Sequence, residues 1–270
     1  MNDSAQPILS PAPLGGVAAF IWEVRPLLRL VSHVRRRHSA GTLRQGSLKR
    51  IDSDLYEFSV PSGPVVLAIS GVGRDNSHRA AQFLAENYKL RGLASIGFAG
   101  GLAPGPVPGD IVQIDAVVEE STGERFNCWT DLLPVRSARQ GALLSVDAVV
   151  TASAEKLRLG KKWGAVAVDM ESAGVARAAA KTGLPFCAVK AVTDSAEQSL
   201  AIDFSRCWRE DKGLSTWAVV SQGLKSFRAA KGLWTLARGS QRAANALASA
   251  ITSARPPVRS ERTRVRLQGT

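Results

Sequence analysis

The sequence predicts an α/β fold, a single domain with a helical C-terminal extension, and three observations carry that prediction. Residues 165–194 read as strand, helix and strand: an apolar run at 165–168, a small-residue helix over 171–182, a stop at Gly183, then a second apolar run at 186–192. Further short apolar runs at 16–20, 55–60, 65–70, 93–97 and 111–114 alternate with glycine-rich or polar turns. At 270 residues the chain is long enough to bury one large core, and its 24 glycines suit many tight strand-to-helix turns.

Taken in order, residues 1–13, with Pro7, Pro11 and Pro13, read as a flexible leader, and the domain proper is expected over 14–252. After the first strand, Glu23 precedes Leu27, Leu28 and Val31 at helical spacing, so it stands at a strand-to-helix junction. The run Arg35-Arg36-Arg37-His38 reads as a solvated helix end, where cations suit the helix dipole. Segments 55–60 and 65–70 form a hairpin around Pro61-Ser62-Gly63-Pro64, and a helix follows over 76–88. The strand 93–97 leads to Gly100-Gly101, and a rigid proline-rich loop then enters the strand 111–114. Residues 126–140 look irregular, with Trp129 exposed or at an interface, and a short helix runs through Lys162. Helices are expected over 213–227 and 233–251, the second with Leu233, Leu236, Ala237, Ala244, Leu247, Ala248 and Ile251 on one face. A basic, disordered tail is expected over 253–270.

The net charge of +12 is concentrated near the end: from Lys225 onward, ten Lys or Arg face the single acid Glu261. Such a tail attracts anionic surfaces, and peripheral contact with an anionic membrane is one expected use. Nucleic acid is the weaker alternative, because no basic motif interleaved with aromatics is present. Three cysteines, Cys128, Cys187 and Cys207, lack metal-site spacing, so neither a metal nor a disulfide framework is expected. The start lacks a basic leader and no run approaches a membrane span, which gives a cytoplasmic expectation, with membrane association kept open.

The chemistry-bearing residues are acids at strand ends. In a parallel α/β sheet the side chains just past the strands' carboxyl ends line the ligand crevice, which would bring Glu171 and Asp194 to one site. Two acids in a pocket suit general acid catalysis and the gripping of hydroxyl groups. The same residues also fit simpler duties, since Glu171 and Glu23 suit first helical turns and Asp194 can cap the next segment. The turn Ser70-Gly71-Val72-Gly73-Arg74 offers backbone N–H groups to a phosphate or ribose. It is neither a dinucleotide fingerprint nor a Walker loop, and a plain tight turn fits it as well.

Several stretches together resemble one family. They are Ser70-Gly71-Val72-Gly73, then Gly97-Phe98-Ala99-Gly100-Gly101-Leu102 with Pro108-Gly109-Asp110, then Val168-Asp169-Met170-Glu171-Ser172-Ala173, then Ala191-Val192-Thr193-Asp194. In order and spacing, over about residues 16–205, they resemble the nucleoside phosphorylase and nucleosidase superfamily. The resemblance implies a mixed central sheet flanked by helices, a homo-oligomer of two or more chains, a small-molecule nucleoside substrate and no cofactor, with inorganic phosphate as a possible co-substrate. By likeness to the methylthioadenosine and adenosylhomocysteine nucleosidases, Asp194 would protonate the leaving purine. Glu171 would hold the ribose hydroxyls, Met170 would lie on the sugar face and Glu23 would activate the attacking water. Val168, Ser70, Gly71, Phe98, Ala99, Gly100, Val149 and Phe204 would complete the nucleoside site. If the enzyme were a phosphorylase, Gly71, Gly73 and Arg74 would receive phosphate.

The chemistry explains why acids are wanted. As an N-glycosidic bond breaks, the sugar becomes cationic and the purine anionic, so the aspartate must carry a proton while both glutamates stay ionised. Departures from the pattern concern the substrate: Val149 stands where an aromatic would stack on the base, Phe98 replaces a serine, and the segment between Asp115 and Asp147 is short. These departures, with the basic helical end, look closer to the hopanoid-associated phosphorylase branch, whose proposed substrate is adenosine with a bulky lipid at the 5′ carbon. The expectation is therefore purine release from a 5′-substituted adenosine-type nucleoside, with hydrolysis slightly favoured over phosphorolysis. A non-catalytic nucleoside-binding protein is the remaining alternative, although binding alone does not need all three acids.

Overall fold

The computed structural model describes residues 11–38, 54–135, 139–200, 208–209, 213–214 and 227–254. The strands are β1 (Leu14–Ala18), β2 (Arg35–His38), β3 (Asp54–Val60), β4 (Gly63–Ile69), β5 (Gly92–Gly101), β6 (Ile111–Glu119), β7 (Arg125–Asn127), β8 (Arg139–Ser145), β9 (Ala165–Asp169), β10 (Phe186–Asp194), β11 (Trp208–Arg209) and β12 (Gly213–Leu214). The helices are α1 (Ile21–Leu30), α2 (Arg74–Asn87), α3 (Ser153–Trp163), α4 (Ser172–Thr182) and α5 (Phe227–Thr252). β1 to β10 form one mixed sheet in the order β10-β6-β8-β9-β5-β1-β4-β3-β2, with β7 beside β6. Because β10 also pairs with β5, the strands β5, β10, β6, β8 and β9 close into a ring, from which the others extend as a wing.

Strand burial explains the apolar runs. Every residue of β10 is buried: β5 and β6 pair with its two edges, while α4 and α5 pack on it. On one side of the sheet α2 and α4 pack on each other, while on the other α5 packs on α1 and β10. Helix α4 ends as its sequence requires, with Gly183 in the left-handed region at φ 69° as the C-terminal cap. The buried stripe of α5 runs through Ala243, Ala244, Leu247, Ala248 and Ile251, with Arg238, Arg242 and Asn245 facing away as expected, whereas Ala237 is exposed.

Four expectations change. Arg35 to His38 form an edge strand rather than a helix end, because α1 stops at Leu30 and the chain turns through His33 at φ 60°. Across that edge Arg36 pairs with Asp54 at 2.8 Å and Arg37 with Glu57 at 3.1 Å, giving exposed arginines cross-strand partners. Gly100 and Gly101 lie inside β5, not after it, since their backbone pairs with Val168 and Ala167 of β9. The stretch expected to be irregular contains β7 and the start of β8, with Trp129 exposed as anticipated. Gly213 and Leu214 pair with Trp208 and Arg209 instead of opening a helix. Residues 215–226, Phe204, Cys207, residues 1–10 and the tail from 255 lie outside the described residues. Among the described residues, no helix is long and apolar enough to cross a membrane.

The α2–α4 contact depends on one small residue. A Cβ on Gly174 would sit 2.2 Å from the Arg74 carbonyl and 2.3 Å from Ser77 Oγ. Alanine normally favours a helix, but here the clash is with backbone that cannot move aside, so overpacking outweighs propensity. Gly174→Ala should therefore lower stability by about 1–3 kcal/mol, read from its chemical-denaturation midpoint.

Candidate functional site

A cavity of about 310 Å³ opens at the carboxyl ends of β1, β5, β9 and β10. Glu23, Glu171 and Asp194 all line it, although they come from three separate strand ends. Val168, Met170, Phe98, Ala99, Gly100 and Val149 line it too, so nine of the residues singled out in the sequence meet in one place.

Glu23 is both a helix residue and a cavity residue, so the two readings of it were not exclusive. It is the third residue of α1, and its Oε2 accepts N–H bonds from Ala19 at 3.0 Å and Phe20 at 3.1 Å. Oε1 accepts from the Phe98 N–H at 3.3 Å, and the carboxyl fits because residue 97 has no side chain: a Cβ there would lie 2.9 Å from Oε2. Burial pushes this carboxyl above the usual glutamate range, against the lowering pull of Lys190 and the backbone N–H groups.

Glu171 stands at the N-cap position of α4 without capping it through its side chain, and its Oε1 accepts the Gly73 N–H at 2.8 Å instead. Its carboxyl is pushed up to about 8, first by desolvation and then by the neighbouring Asp169 carboxylate. Burial therefore works against the ionised form that glycosidic chemistry asks of both glutamates. Asp194, at the end of β10, has Thr193 Oγ1 at 2.6 Å from Oδ1 and the Lys156 ammonium on Oδ2. Gly100 leaves room for it, since a Cβ there would lie 3.3 Å from Oδ2.

The phosphate candidates are all engaged elsewhere. The Gly71 N–H donates to Ala19 O at 3.0 Å, the Gly73 N–H to Glu171, and Arg74 donates to Glu119 Oε1 at 2.5 Å and to Ser121 at 2.9 Å. Ser70 turns its hydroxyl onto the Gly71 carbonyl at 2.7 Å, and neither Ser70 nor Gly71 lines the cavity; Val72 does instead. The glycine turn thus aims Glu171 and ties β4 to β1.

Two buried lysines escaped the sequence reading. Lys190 interrupts the apolar run of β10, is 2% exposed and donates to Asp169 Oδ2 at 2.8 Å. Burial alone would lower its pKa, but Asp169, Glu171 and Glu23 outweigh burial and raise it. Asp169 also caps α4 by accepting the Ser172 N–H and hydroxyl, the latter at 2.6 Å. Lys156, on α3, is fully buried. A signal existed for both: a lysine inside an apolar strand, or on the helix stripe of Leu159 and Gly160, needs a buried anion. Phe20, Trp22, Leu200 and Leu236 add an apolar mouth, with Phe20 and Trp22 stacked at 3.9 Å between ring centroids. Among the described residues no cluster of His, Cys, Asp or Glu is arranged to hold a metal ion.

This fold and this ring of acids define a class, and the chain belongs to the phosphorylase superfamily, whose family profile matches residues 22–128 and 130–211. Over 188 residues it is 28% identical to the 5'-methylthioadenosine/S-adenosylhomocysteine nucleosidase of Mycobacterium tuberculosis, covering 53% of this chain and 74% of that protein. Two solved structures share the fold. The S-adenosylhomocysteine nucleosidase of Streptococcus pyogenes has a TM-score of 0.64 at 18% identity, covering 92% of this chain and 98% of its own. The 5'-methylthioadenosine/S-adenosylhomocysteine nucleosidase of Neisseria meningitidis has a TM-score of 0.61 at 21% identity, covering 90% and 99%.

The raised Glu171 carboxyl sets a direction for stability. The folded protein keeps that proton up to about pH 8, whereas the unfolded chain releases it near 4.5. Its contribution is therefore full below about 4.5 and declines as pH rises toward 8. Glu171→Gln cannot titrate, so its thermal midpoint should fall less between pH 5 and pH 8.5 than that of the unmodified protein.

Proposed function

We propose that the protein hydrolyses the N-glycosidic bond of a 5′-substituted, adenosine-type purine nucleoside and releases the base. The observation that carries this reading is the meeting of Glu23, Glu171 and Asp194 around one cavity, in a chain of the phosphorylase superfamily. The roles follow from charge development. Asp194 delivers a proton to the departing purine, Glu171 holds the ribose hydroxyls and faces the growing positive charge, and Glu23, fixed by three backbone N–H groups, takes a proton from the attacking water. A cationic sugar between the glutamates reverses the effect of burial and favours their ionised forms at the moment it is needed.

Water is favoured over phosphate by the donor inventory. Among the described residues the cavity lining contains no Lys or Arg, and Arg74 is held by Glu119 and Ser121. A phosphate would face Glu23 and Glu171 without a fixed cation.

A second reading concerns the 5′ group. Phe20, Trp22, Val149, Leu200 and Leu236 give the mouth an apolar character suited to a bulky hydrocarbon substituent, and α5, which supplies Leu236 and Ser240, carries Trp234 exposed with Arg238 4.3 Å over its ring. An adenosylhopane-type lipid nucleoside, taken from an anionic membrane surface, fits that arrangement, as the substrate of a hydrolase or of a phosphorylase.

Purine release should be measured across adenosine and adenosines with 5′-alkylthio groups of increasing length, with and without phosphate. Hydrolysis requires full turnover in phosphate-free buffer; product formed only when phosphate is added would assign phosphorolysis. Asp194→Asn and Glu23→Gln should each reduce kcat by about 100-fold or more, the scale of a general acid or base. The lipid reading expects kcat/KM to rise with alkyl length and the protein to sediment with anionic liposomes at low salt; a preference for the shortest group would exclude it.

A further inference from the structure

The charge of Lys156 is not explained by packing. The side chain is fully buried beneath the cavity without lining it, and its ammonium spends three N–H groups on three acceptors: Asp194 Oδ2, the Ser195 carbonyl at 3.1 Å and the Gln198 carbonyl at 2.7 Å. Stability alone does not call for such a pair, since burying two ions costs about as much as their attraction returns and an apolar pair of equal volume serves as well.

The hydrogen-bond geometry has a property that an apolar substitute lacks. If one proton passes from Nζ to Oδ2, the remaining two N–H groups stay on the Ser195 and Gln198 carbonyls, and the nitrogen lone pair faces the new carboxyl O–H. No heavy atom has to move. The pair therefore has two proton arrangements that share one framework, as a preorganised acid requires. Among the described residues, Asp194 meets the Thr193 hydroxyl on its other oxygen, Glu23, Glu171 and Asp169 are the other charged groups lining the cavity, and Lys190 lies outside the lining on Asp169.

We propose that Lys156 is the positioning residue of the leaving-group acid: it locks the Asp194 carboxyl and supplies the proton that Asp194 passes to the departing purine. The inference rests on the purine-cleavage reading above. In the step, the proton moves from Nζ to Oδ2 and leaves an uncharged amine. As the sugar C–N bond breaks and its electron pair goes to the base, the Asp194 O–H gives that proton to a base nitrogen, and Asp194 returns to a carboxylate. The attacking water loses a proton to Glu23, from which it passes to solvent, and solvent reprotonates Lys156. One water is consumed and one purine N–H is formed.

The test compares two leaving groups on the full-length protein: a purine, which needs an acid, and 4-nitrophenolate, which departs unaided, each on a riboside with the same 5′ group. Lys156→Met should lower kcat for purine release about 100-fold while leaving 4-nitrophenolate release within about threefold. Equal losses on both substrates, or no loss on purine, would overturn the proposal. The double variant Lys156→Met with Asp194→Asn removes the unpaired charge that could prevent the single variant from folding. It should release purine at the rate of Asp194→Asn alone; a further loss of tenfold would mean that Lys156 acts other than through Asp194, and the proposal would fall. Wild-type protein that releases no purine from any nucleoside would instead overturn the cleavage reading itself, which separates the two failures.

Discussion

Charge taken out of water is the constraint on which the site depends. Within one region the protein buries Glu23, Asp169, Asp194, Lys156 and Lys190, and each has to be matched by an opposite charge or by hydrogen-bond donors and acceptors. Lys190 answers Asp169, Lys156 answers Asp194, and Glu23 accepts backbone N–H groups, with Lys190 adding a favourable pull. Among the described residues Glu171 accepts the Gly73 N–H and, at 3.3 Å, the Met170 N–H, with Lys190 adding a favourable pull. Its carboxyl is displaced to about 8, chiefly because burial removes it from water and the Asp169 carboxylate lies beside it.

The same constraint explains several glycines. At residue 97 a Cβ would lie 2.9 Å from Glu23 Oε2, and at residue 100 it would press on Asp194 Oδ2 at 3.3 Å, so both glycines keep room for a carboxyl. Gly73, at φ 98°, has a backbone conformation that side-chain-bearing residues rarely adopt, and it turns its N–H onto Glu171. What looks in the sequence like a phosphate-binding turn is a support for an acid.

Much of the fold was legible because its signals are local. The alternation of apolar runs with helices gave the core strands, and Gly183 ended α4 where expected. The acids were legible because strand ends are where an α/β sheet puts its chemistry. What local pattern did not reveal depended on partners distant in sequence. Arg36 and Arg37 make sense as strand residues only once Asp54 and Glu57 lie across from them. Lys156 has no meaning without Asp194, 38 residues on, and Arg74 looked like a free cation until Glu119, 45 residues on, was brought to it. Ion pairs between remote segments leave no periodicity behind.

Closure of the strand ring also governs when the site comes into being. β10 reaches β5 through contacts such as Thr193 to Ala99, 94 residues apart, and pairings of that length form slowly because a long loop must close first. Asp194 is brought to Glu23 and Glu171 only when that pairing is made. The five-strand ring thus acts as an assembly check: a chain that has collapsed but not closed it has the acids without the active geometry, and cannot begin glycosidic chemistry before it is folded.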